Sequence, residues 1–123
     1  MKLANTNTTN VSAYLVQDKS SAFIISKLKE IVNRYDKDAE IILFGSHARG
    51  DWDEESDWDF LILSNHPEKN DMKEKIRRDI LHEIELVASE VVFILMHNKK
   101  VWEDDYSVTP LYYNIEEEGI VIT

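Results

Sequence analysis

A chain of 123 residues has room for one hydrophobic core and one site. Its 24 acidic against 14 basic side chains leave a net charge of −10, which disfavours unaided binding to a nucleic acid backbone; a nucleic acid acceptor would need a basic partner. Without cysteine, disulfides, thiolate catalysis and cysteine-based zinc sites are excluded. No apolar run approaches the roughly 20 residues that span a bilayer, and the opening "MKLANTNTTNVSAYLVQDK" shows no continuous apolar stretch of the secretory kind, so a cytoplasmic protein with no membrane contact is expected.

Residues 1–19 are rich in Asn, Thr and Ser and lack periodicity, which predicts a loosely ordered arm before a domain at 20–123. From Ser21, the apolar positions Ile24, Leu28, Ile31 and Tyr35 recur at steps of three and four, with Ile25 and Val32 widening the stripe into the face of a helix. The run "AEIILF" is too short for a helix and reads as a buried strand ending at Gly45, followed by a helical turn at "SHARG". A second strand is expected at "WDFLIL", and "SNHPEKN" closes it as a turn. From about Glu68 to Val87, one face carrying Met72, Ile76, Ile80, Ile84 and Val87 predicts a long amphipathic helix. "EVVFILMH" reads as a third strand. "VTPLYYNIEEEG" reads as a final helix with Thr109 as N-cap, Pro110 at its first position and Gly119 past its end, and "GIVIT" offers a fourth strand. Alternating strands and helices predict a small α/β (α+β) domain with a mixed sheet flanked by helices.

Chemistry concentrates between the first two strands. Asp57 and Asp59 are two apart, so a strand's alternation turns both carboxylates to one face with Cα atoms roughly 6.6 Å apart. Like charges that close are costly unless a cation bridges them, and hard oxygen donors select Mg²⁺ or Mn²⁺ over zinc. Because Mg²⁺ completes its shell with water and phosphate, the pair points to a nucleotide. Upstream, Gly45 lets a phosphate approach the backbone, Ser46 adds a hydroxyl donor, and Arg49 brings a guanidinium able to grip a phosphate oxygen.

Together these residues spell G-S-x10-D-x-D, and the stretch resembles the nucleotidyltransferases of the DNA polymerase beta superfamily, especially the minimal nucleotidyltransferases. The tail "SVTPLYYNIEEEGI" also looks like this group. The resemblance implies transfer of a nucleotidyl group, AMP from ATP, to an acceptor hydroxyl, with Asp57 and Asp59 on two divalent ions and Gly45, Ser46 and Arg49 on the leaving phosphates. It also implies a third carboxylate on a neighbouring strand, which falls on Glu90 at the opening of "EVVFILMH", with Glu83 and Glu85 as rivals. Larger members hold the acceptor in an added domain, for which this chain has no room. The group therefore implies a separate partner, a HEPN-domain protein of the toxin and antitoxin kind, and a homo- or hetero-oligomer is compatible.

Other features receive plainer readings. Asp51, Asp53, Glu54 and Glu55 are expected to be a solvated loop, and His47 a surface or phosphate-adjacent residue. His66, His82 and His97 lack metal-ligand spacing. Trp58, between the aspartates, should face the core, whereas Trp52 has the alternative of flanking a base. Trp102, Tyr112 and Tyr113 suit either core or partner surface. Ser46 as a hydrolase nucleophile lacks a G-x-S-x-G elbow. The competing functions are a catalytically silent binding module that neutralises a partner by contact, and an aminoglycoside-type antibiotic nucleotidyltransferase.

Overall fold

The computed structural model describes residues 19–67 and 70–122. Most of the expected arm, and the first two residues of the expected long helix, lie outside these. Helix α1 (Lys19–Tyr35) leads into β1 (Glu40–Phe44), the short turn α2 (Ser46–Arg49) and β2 (Trp58–Ser64). Helix α3 (Asn70–Ile80) continues through a π-helical turn (Leu81–Glu85) into α4 (Leu86–Ala88). Strand β3 (Val92–Asn98), helices α5 (Lys99–Asp105) and α6 (Pro110–Glu118), and β4 (Ile120–Val121) complete the chain.

The four strands form one sheet in the order β3-β2-β1-β4. β1 runs antiparallel to both β2 and β4, and β2 runs parallel to β3, so the sheet is mixed as expected. Alternation divides β2 between two cores. Trp58, Phe60 and Ile62 join Ile41, Leu43, Val92 and Ile94 under the apolar stripes of α1 and α3. Leu61 and Leu63 join Ile42 and Phe44 on the other face, covered by Trp102 of α5 and Ile115 of α6.

Val87 and the segment after β3 depart from the sequence expectations, and α6 meets them. Val87 does not continue the buried face of the long helix: it is 66% exposed, because the wider π turn rotates the last residues away from the stripe that Ile76, Ile80 and Ile84 keep buried. Helix α5 was not expected. It is started by Asn98, whose side chain accepts from the amides of Lys100 and Val101, and it is held by Trp102 stacking with His97, Tyr106 and Tyr112. Trp102 is thus core. Helix α6 is capped as its sequence predicts, Thr109 Oγ1 accepting from the Tyr112 amide at 3.2 Å.

Candidate active site

The β1–β2 hairpin builds the site. Phe44 pairs with Asp59 across the two strands, so the chain leaves β1 at Gly45 directly beside the aspartate. Gly45 has φ +77°, in the region that disfavours any side chain, and a Cβ there would lie 2.2 Å from Asp59 Oδ2. The glycine is demanded by the acid as well as by the turn. The amides of Ala48 and Arg49 both turn back to the Gly45 carbonyl at 3.0 Å, closing α2 and presenting Arg49.

Asp57 is exposed and Asp59 half-buried at the open end of the face that α5 and α6 cover further along. Burial holds the Asp59 carboxyl above its usual range; Asp57 and Glu118 push it further up, and Arg49 partly offsets them. Two oxygen donors of this kind fit a divalent ion carrying a nucleotide, since Mg²⁺ takes one or two protein carboxylates and leaves its other positions to water and phosphate.

Glu90 is not at a position that the strand register sets beside the pair. It precedes β3, and the parallel register sets Phe93 opposite Asp59 and Val91 one step beyond Trp58's partner Val92, so alternation gives the positions beside the aspartates to Val91 and Phe93. Both are exposed apolar side chains. The rivals are engaged elsewhere: Glu83 accepts from Arg34 at 2.7 and 3.1 Å, and Glu85 accepts from Arg77 at 2.6 Å and from the Val92 amide at 2.9 Å. Among the described residues, no group of three or more His, Asp or Glu is placed to hold a metal ion.

Sequence reasoning missed Glu118. At the end of α6, its Oε1 accepts from the Gly45 amide at 3.3 Å and its Oε2 from Arg49 Nη1 at 2.9 Å, while Arg49 Nε donates to Asp51 at 3.2 Å. No local signal marks a contact made across 73 positions. His47 is also corrected: it is 3% exposed, stacked between Trp58 at 3.7 Å and Trp52 at 5.1 Å, on the core side of the loop. Trp58 is core as expected, and Trp52 is turned to the histidine. In the acidic loop, Asp53 is more than solvated, because its carboxylate accepts the Glu55 amide at 2.8 Å and shapes the turn into Asp57.

No helix among the described residues is long and apolar enough to cross a membrane. A family model described as a nucleotidyltransferase domain matches residues 25–122. A Methanocaldococcus jannaschii protein named "Putative protein adenylyltransferase MJ0141" is 47% identical over 55 residues, 43% of this chain and 56% of that protein. The match therefore spans little more than half the length of that relative. With the glycine turn, the guanidinium and the aspartate pair gathered at one end of a mixed sheet, the chain belongs to the nucleotidyltransferase domain family, whose class of reaction is nucleotidyl transfer.

Proposed function

We propose that the chain transfers AMP from ATP to a hydroxyl on a partner protein, with Mg²⁺ or Mn²⁺ as the metal. The observation that carries this reading is the juxtaposition of Asp57 and Asp59 with the Gly45 turn and Arg49 within one hairpin, which supports a metal-holding pair beside phosphate-holding groups. Asp57 and Asp59 would hold the ion, which when bound supplies charge neutralisation to the phosphates and acidity to the acceptor hydroxyl. The Gly45 amide, the Ser46 hydroxyl and Arg49 orient the two leaving phosphates. The acceptor oxygen bonds to the α-phosphorus as the bond to pyrophosphate breaks, and the hydroxyl proton is lost to a base.

The name of the Methanocaldococcus jannaschii relative supports a protein as acceptor. Resemblance to the minimal nucleotidyltransferases supports a HEPN-type toxin as the partner, with this chain as antitoxin in the cytoplasm. A second reading is favoured by Val91 and Phe93, apolar where a third carboxylate would complete the metal site: a weak or silent transferase fold that neutralises its partner by contact.

The test is calorimetric titration of ATP into the protein with and without Mg²⁺, repeated on the Asp57→Ala, Asp59→Ala double variant. Binding that needs both the metal and the aspartates supports the transferase; binding indifferent to them rejects it. A double variant that still neutralises the partner favours the silent module.

A further inference from the structure

Two of the three groups assigned above to the leaving phosphates, the Gly45 amide and Arg49, are taken by one carboxylate. Glu118 bridges the Gly45 amide and the Arg49 guanidinium with its two oxygens, at 3.3 and 2.9 Å, as two oxygens of a phosphate group would. Its side chain is only 18% exposed, so the contact is sheltered on the acid's side, whereas that of Arg49 is 46% exposed and open to an incoming anion.

We propose that Glu118 is a built-in competitor for the phosphate seat, displaced when the nucleotide binds, so that the end of α6 sets nucleotide affinity. This rests on the reading of Gly45 and Arg49 as phosphate-holding groups. A nucleoside triphosphate offers those groups more negative charge than a carboxylate and brings its own cation, so it wins the exchange at sufficient concentration. An ion pair with a half-exposed arginine is weak enough to be exchanged. Helix α6 does not need the contact to end, because Gly119 already closes its last turn by donating to the Ile115 carbonyl at 2.8 Å. The carboxylate also adds to the negative charge around Asp59, so its departure lowers the repulsion that a polyphosphate meets on entry. A simple staple holding the glycine turn in shape would act in the opposite direction: removing it would loosen the seat and weaken binding.

The two roles separate in Glu118→Gln, which keeps a carbonyl oxygen for the Gly45 amide and discards the charge. Titration at fixed ionic strength with Mg-ATP, and separately with pyrophosphate, is expected to give about threefold to fivefold tighter binding to Glu118→Gln than to the unmodified protein, the fold-change that loss of one competing half-exposed ion pair corresponds to. Arg49→Ala added to Glu118→Gln should erase the gain. In the unmodified protein, the NMR carboxylate resonance of Glu118 should move as pyrophosphate is added, which needs no variant to fold. If the unmodified protein binds both ligands and Glu118→Gln binds them equally or more weakly, the competitor role is wrong while the phosphate site stands. If neither protein binds either ligand, the phosphate site and the competitor fall together.

Discussion

A Cβ on residue 45 would stand 2.2 Å from the Asp59 carboxylate, so Gly45 and Asp59 occupy space that only a glycine leaves free. At φ +77° and ψ −160° the backbone also lies in a region essentially reserved for glycine, at a cost to any side chain of about 1–3 kcal/mol. Gly45→Ala is expected to lower stability by roughly 2 kcal/mol and to weaken metal-dependent ATP binding more than tenfold, because the aspartate must move. Thermal unfolding and calorimetry check the two effects; an alanine variant that binds normally would show that Asp59 does not act from this position.

Asp59 itself is held against its electrostatic preference. Its carboxyl is raised above the ordinary value, so the fold disfavours the charged form: the penalty is absent below the ordinary carboxylate range and complete above the raised one. Asp59→Asn is therefore expected to raise the metal-free Tm at pH 7 by about 2–4 °C while abolishing metal-dependent nucleotide binding. At strongly acidic pH the two proteins should melt alike. A Tm for Asp59→Asn below that of the parent at neutral pH would contradict this.

Asp79 titrates in the opposite sense. The Tyr35 hydroxyl donates to it, and Arg78 and Arg34 add to this, holding the carboxyl below its usual value. A depressed folded value gives stability that is present above the ordinary range near pH 3.8 and lost as pH falls through the lowered one. Tyr35→Phe should cost about 1 kcal/mol at pH 7 in denaturant melts, shrinking at acidic pH. A pH-independent difference would assign the loss to packing instead.

His47 braces the loop between motif halves. Its ring lies 3.7 Å from that of Trp58 and 5.1 Å from that of Trp52, and its Nε2 meets the Ser56 carbonyl oxygen at 3.4 Å. His47→Ala opens a cavity beneath Trp52, with an expected cost of about 2–4 kcal/mol and a shift of tryptophan fluorescence toward solvent. His47→Phe, which keeps the stacking, should recover most of the stability; equal losses in both variants would point to the hydrogen bond instead.

What could be read from the sequence followed from local periodicity. The steps of three and four in α1, the apolar runs of β1 to β3, and the Thr-Pro start and Gly end of α6 each express themselves within a few residues. The spacing of Asp57 and Asp59 likewise carries their closeness, the charge of Asp57 bearing on the Asp59 carboxyl. What escaped depended on distant partners or on a changed pitch. Val87 left the buried face because a π turn inserts extra angle before it. The segment "KKVWEDD" has too little periodicity to announce α5, which exists because Trp102 finds aromatic partners across the sheet face. His47 is polar by type but buried by stacking, and Glu118 meets Gly45 only once α6 has folded back over β1. Glu90 opens the third apolar run as the resemblance leads one to expect, yet the interstrand register gives its neighbours the places beside the pair.

The division of β2 between two cores has a consequence for how reliably the hairpin forms its chemistry. Trp58, buried to 1%, and Asp59 are adjacent and point to opposite faces. A slip of one residue against β1 would drive a carboxylate into the hydrocarbon beneath α1 and α3 and expel an indole into water. Such a mispaired molecule would not persist as a folded protein. The fold thus proofreads its own chemistry: molecules that survive as native are those in which the acids face outward, so loss of function through misregister and loss of the protein itself are one event.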